Sequence, residues 1–129
     1  MDLQALVDTM PFANLCGVSL VSATADEVLG TLEWHPDRCT IGGTLHGGVL
    51  MAFADSVGAI CGFLNLPAGA STSTIESKTN FLRPVGKGSV HSVTTPLHVG
   101  RRTIVLQTLI TDDDGRKAAL VTQTQSVIA

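Results

Sequence analysis

The sequence predicts an α+β domain in which one antiparallel sheet of about six strands curls over a single long helix. Three observations carry that expectation. The stretch from Gly47 to Asn65 is apolar on nearly every side, so something must cover it. Four later segments have strand character and follow one another through short turns, which favours antiparallel pairing. The 129 residues suffice for one compact domain, 1–129, and show no repeat or linker.

The elements follow in order. Leu3, Leu6, Val7 and Met10 recur at helical spacing and predict a short N-terminal helix within residues 1–10, ended by Pro11. Val18 to Ala23 reads as a first strand. Val28, Leu32 and Trp34 alternate with Glu27, Thr31 and Glu33, the period of a half-buried second strand. Pro36, Gly42 and Gly43 make His35 to Leu45 a loop. The long helix then runs from about Gly47 to Asn65, before Pro67 and Gly69. Strands are predicted over Thr72–Leu82, Ser89–Val99, Thr103–Thr111 and Lys117–Ile128. Asp112-Asp113-Asp114-Gly115 joins the last two as a hairpin turn.

Composition narrows the function. Hydrophobic residues make up 44% and charged residues 15%, which excludes a disordered chain. The net charge of −3, with Lys and Arg scattered, argues against a nucleic-acid binder. Cys16, Cys39 and Cys61 form no C-x-x-C pair, so neither a disulfide framework nor a zinc site is expected, and a reducing cytoplasm suits them. Asp2 and Asp8, with no basic stretch, give no reason to expect a signal peptide. Asp55 in mid-helix costs about 2.5–3.5 kcal/mol in a membrane, so the apolar helix is expected inside protein, with no membrane partner.

The chemistry concentrates in Gly42-Gly43-Thr44-Leu45-His46-Gly47-Gly48, which leads into the helix bearing Asp55. Glycines there let a ligand approach the backbone. The first N–H groups of the helix have no partner inside it and suit an anion or a polarised carbonyl oxygen. Asp55 stands among Met51, Ala52, Phe53, Ala54, Val57 and Ala59, an apolar setting in which burial would make a carboxylate a better base. Residue types alone leave His46 and Asp55 open between structural and catalytic roles.

With those residues in view, the chain resembles the hotdog-fold acyl-CoA thioesterases, especially the branch that includes the phenylacetate-pathway enzymes. The likeness rests on Gly43-Thr44-Leu45-His46-Gly47-Gly48 and on Asp55 nine positions after His46. It extends to Asn80-Phe81-Leu82-Arg83-Pro84-Val85 and Gly100-Arg101-Arg102, and it covers nearly the whole chain from Pro11.

The resemblance implies a helix wrapped by a curved sheet, and a homodimer or homotetramer with sites between subunits. It implies hydrolysis of an acyl- or aryl-CoA to free acid and CoA, with coenzyme A as part of the substrate and no separate cofactor or metal. It assigns Asp55 as general base or nucleophile, the Gly47 N–H as the group polarising the thioester carbonyl, and His46 as the residue shaping the loop. Gly48, Phe53 and Phe81 would line the substrate, Arg83, Arg101 and Arg102 would meet the nucleotide phosphates, and Thr74 matches a water-holding hydroxyl.

Two positions depart from the pattern. The family places Asn or Gln six residues before the His, where this chain has Thr40, and some relatives carry a hydroxyl where this chain has Ala59. A hydroxyl is shorter than an amide and cannot donate twice. These departures motivate two rival expectations: a hotdog domain that binds or senses acyl-CoA with little turnover, and an enoyl-thioester hydratase on the same fold.

Overall fold

The computed structural model describes residues 1–129. Helix α1 spans Leu3–Asp8, α2 Pro11–Cys16 and α3 Gly47–Leu64. Strands are β1 Val18–Ala23, β2 Val28–Glu33, β3 Ser71–Phe81, β4 Ser89–Val99, β5 Thr103–Thr111 and β6 Lys117–Ile128. All pairings are antiparallel, in one sheet of order β1-β2-β4-β5-β6-β3. All six strands touch α3, so the sheet wraps the helix. This is the hotdog fold that the sequence led us to expect.

The N-terminal region differs from expectation. Pro11 ends α1 but also opens α2, because a first-turn residue needs no N–H and φ near −65° suits a helix. In the predicted loop, Pro36–Arg38 form a 3₁₀ turn and Cys39 bridges to Leu45. Gly42 and Gly43 turn this loop with φ of 87° and 79°.

The core lies between α3 and the sheet. Phe53, Val57 and Cys61 on the helix meet Val28, Leu32, Val90, Ile104, Leu106, Ile110 and Val121. The helix comes close to the sheet at Gly30, where an added Cβ would lie 3.2 Å from the Phe53 ring and 3.0 Å from Val57. A glycine inside a strand marks such an approach.

The sheet does not cover α3 on every side. Gly48, Met51, Asp55 and Phe63 remain exposed along the helix, where the sequence suggested near-complete burial. By length and hydropathy α3 could cross a membrane, yet its other face forms the core of this domain. The edge strand β3 is likewise open along its unpaired side and mostly exposed.

Candidate active site

The start of α3 is built around His46. It is the helix N-cap, and its Nδ1 accepts the Gly48 N–H at 2.7 Å. The neutral ring therefore carries its proton on Nε2, at an exposed position. The His46 carbonyl accepts from Val49 and Leu50 at 3.0 and 3.3 Å. The His46 N–H donates to the Arg38 carbonyl at 2.9 Å, so three of the four orphan donors of the helix, those of His46, Gly48 and Val49, are used. The Gly47 N–H alone has no partner in the chain.

Phe81, at the end of β3, packs beside Gly47. A Cβ on Gly47 would come 3.1 Å from the Phe81 ring, so glycine keeps the approach open. Gly47, Phe81 and Arg83 line one groove of about 360 Å³ with Thr44, Leu50 and Pro84. Gly48 is exposed in a second recess with Phe12, Leu15, Arg38 and His46. Thr40 sits on the exposed approach loop. Its N–H donates to the Thr44 carbonyl at 2.8 Å, and its hydroxyl has no partner.

Asp55 forms a separate centre farther along the helix. Its Oδ1 accepts from the Thr74 hydroxyl at 2.8 Å and from Gln123 Nε2 at 3.2 Å. Gln125 Nε2 donates to Thr74 Oγ1 at 2.7 Å. The sequence suggested a buried Asp55; the carboxylate is exposed in the single chain, because nothing in the chain covers this face of α3. One turn beyond Asp55, an apolar cavity of about 290 Å³ opens between α1 and α3, lined by Leu6, Thr9, Met10, Ala59, Ile60 and Phe63.

Other expected residues fall elsewhere. Phe53 has no exposed surface and packs on Gly30, so it belongs to the core and offers a ligand nothing. Arg101 and Arg102 lie at the tip between β4 and β5, exposed and without carboxylate partners. The β-register places that tip beside Ser71 and Ile128, whereas Phe81 and Arg83 lie at the Ala119 end. Strand β3 covers roughly 30 Å between these ends at about 3.3 Å per residue. One chain does not bring Arg83 and Arg101 to one nucleotide.

Gln123 and Gln125 were not singled out in the sequence. Their signal was present: they continue the inward alternation of Ala119 and Val121 on β6, opposite a helix carrying Gly58 and Gly62.

Residues 42–119 match the model of the thioesterase superfamily. The chain belongs to that superfamily. It is 31% identical over 114 residues to a Mycobacterium tuberculosis protein with an esterase assignment, covering 86% of this chain and 81% of the other. A thioesterase structure from Haemophilus influenzae superposes with a TM-score of 0.93 at 28% identity, covering 99% of this chain and 91% of that one. The phenylacetic acid degradation protein of Thermus thermophilus, in a mutant form, superposes at 0.81 with 26% identity, covering 90% and 96%. The chain is accordingly a thioester hydrolase.

Proposed function

We propose that this thioesterase hydrolyses acyl-CoA esters at a composite site, with the Gly47 N–H from one chain and Asp55 from another. The observation that carries this reading is their separation. From Gly47 to Asp55 the helix rises about 12 Å, at about 1.5 Å per residue. A carbonyl whose oxygen takes the N–H and whose carbon is attacked from about 3 Å spans only roughly 7 Å. Thr74 and Gln123 also hold the carboxylate near β3 and β6, away from the helix start.

Strand β3 supports a pairing that closes the gap. Asp55 is tied to it at Thr74, Gly47 lies beside Phe81, and its edge is unpaired. A second copy added antiparallel along that edge, about a twofold midway along β3, brings Asp55 toward the partner's Gly47. The same addition covers an exposed edge that would otherwise be a liability. It also shields the exposed face of α3.

In the joined site, charge developing on the thioester oxygen meets a fixed N–H and the positive end of α3. Asp55 either takes a proton from the attacking water or attacks the carbonyl carbon itself. In both routes the C–S bond breaks, and the thiolate of coenzyme A leaves and is protonated; where Asp55 attacks, water then cleaves the acyl-aspartyl anhydride to the free acid and restores the carboxylate. The apolar cavity beside Ala59 suits an apolar acyl group, and Arg83 above the Gly47 groove suits the phosphates.

The test is free-thiol release from short, medium, long and aromatic acyl-CoA esters, wild type beside Asp55→Asn. Release by wild type with loss in the variant supports the reading. Equal release by both would remove Asp55 from the mechanism.

A further inference from the structure

On the inner face of β6, Ala119 and Val121 give way to Gln123 and Gln125, each only 1% exposed. Two amides in a core are costly unless paired, and apolar side chains would pack there at less cost. The helix above is pared back to admit them. A Cβ at Gly58 would overlap the Gln123 amide, and one at Gly62 would lie 3.2 Å from Gln125 Cγ. Gln123 Oε1 is buried with no hydrogen-bond partner.

Both amides direct their Nε2 groups toward Asp55. The Thr74 hydroxyl has one hydrogen and lies 2.8 Å from Asp55 Oδ1 and 2.7 Å from Gln125 Nε2. An ionised carboxylate only accepts, so that hydrogen goes to Asp55 and Gln125 must be the donor to Thr74. Thr72 Oγ1 lies 3.1 Å from Gln125 Oε1, at the far side of the same amide. Oδ1 of Asp55 thus receives two donors, whereas Oδ2 has no partner in the chain.

We propose that Gln125, acting through Thr74, and Gln123, acting directly, are positioning residues that grip Asp55 by Oδ1 and present Oδ2 as the reacting oxygen. This rests on the reading of Asp55 as the reacting carboxylate. It assigns a role to two residues outside the glycine-histidine motif and explains why α3 carries Gly58 and Gly62 next to its acid.

The experiment compares steady-state thiol release and melting temperature for Asp55→Asn, Gln125→Met, Gln123→Met, Thr74→Val, Thr74→Ser and the double variant Gln125→Met/Thr74→Val. Met keeps the length of Gln without its donors. Gln123→Met is expected to lower kcat about tenfold, the effect of losing one donor to a charged group, and Gln125→Met several-fold, since its amide reaches Asp55 only through the Thr74 hydroxyl, each with KM within about twofold. Their melting temperatures should stay level or rise, since an apolar side chain replaces a buried amide. Thr74→Ser should recover most of the loss seen in Thr74→Val.

The double variant should be no slower than Thr74→Val alone, because Gln125 acts through that hydroxyl. Wild-type kcat in Gln125→Met and Gln123→Met, beside an inactive Asp55→Asn, would overturn the positioning role and leave the mechanism intact. So would losses that multiply in the double variant, or that track a lowered melting temperature. Full activity in Asp55→Asn would instead remove the reading on which the proposal rests.

Discussion

Two inactive variants should restore each other when mixed. Gly47→Pro removes the one free N–H of the α3 start. Proline is tolerated at the first position of a helix, and no hydrogen bond within the chain is lost. The preceding residue already has the extended backbone that proline demands, with His46 at φ −62° and ψ 135°. The new ring meets Phe81, which is half exposed and free to shift. Losing one such donor costs about 10²–10³-fold in kcat. Asp55→Asn costs about 10²–10⁴-fold through loss of the base.

Each homodimer alone is therefore nearly silent. In a mixed dimer, one site pairs an intact Gly47 with an intact Asp55, and the other site carries both lesions. Random association at equal amounts makes half the dimers mixed, so about a quarter of wild-type sites are whole. The assay is thiol release from an acyl-CoA by protein co-expressed at equal levels, beside each parent alone. Activity near a quarter of wild type supports a shared site. Activity no greater than the mean of the two parents would refute the separation argument and place both groups in one chain's site.

Further perturbations bear on other parts of the structure. Gly58→Ala gains about 1 kcal/mol of helix propensity but drives a methyl into the Gln123 amide, so the fold should survive while kcat falls; unchanged turnover would show that Gln123 is idle. Arg101→Ala should raise KM for CoA esters and spare thioesters without a nucleotide, and equal effects on both would reject a phosphate role for the β4–β5 tip. Thr40→Asn should raise the rate by restoring an amide on the approach loop, and a lower rate would show that this site is built around the hydroxyl. His91 donates to Asp113 at 2.7 Å and, with the Ser89 N–H, holds that carboxyl below the ordinary Asp value. Its stabilisation is complete above the ordinary value of 3.8 and is lost as pH falls through the lower folded value. Asp113→Asn should thus melt earlier than wild type at pH 7, with the gap closing in acid; a gap independent of pH would rule out the charge as its cause.

The element pattern was largely legible because it is local. Alternation in β2, the apolar run of α3 and the Asp112–Gly115 turn are each decided by neighbouring residues, and their predicted bounds hold within about two residues. The second N-terminal helix was missed because Pro11 serves equally as a stop and as a first-turn residue, and the difference lies in what α2 packs against. The glycine-histidine motif and Asp55 stood out because a charge in an apolar helix is conspicuous in a linear reading. Their roles in the chain were less visible. His46 is spent on capping Gly48, and Asp55 is open to solvent rather than buried.

What the sequence by itself determined is therefore the helix, the strands and their antiparallel pairing, and it singled out His46-Gly47 and Asp55 as the two candidate centres. Each follows from periodicity, turn chemistry and short-range spacing. What only the tertiary structure decided is which residues meet. It moved Phe53 into the core against Gly30, and it set Arg83 and Arg101 at opposite ends of the sheet. It brought Gln123 and Gln125, from the far end of the chain, beneath Asp55. Those meetings depend on strand register and on where a helix can approach a sheet, and both are set by the packing of distant segments together.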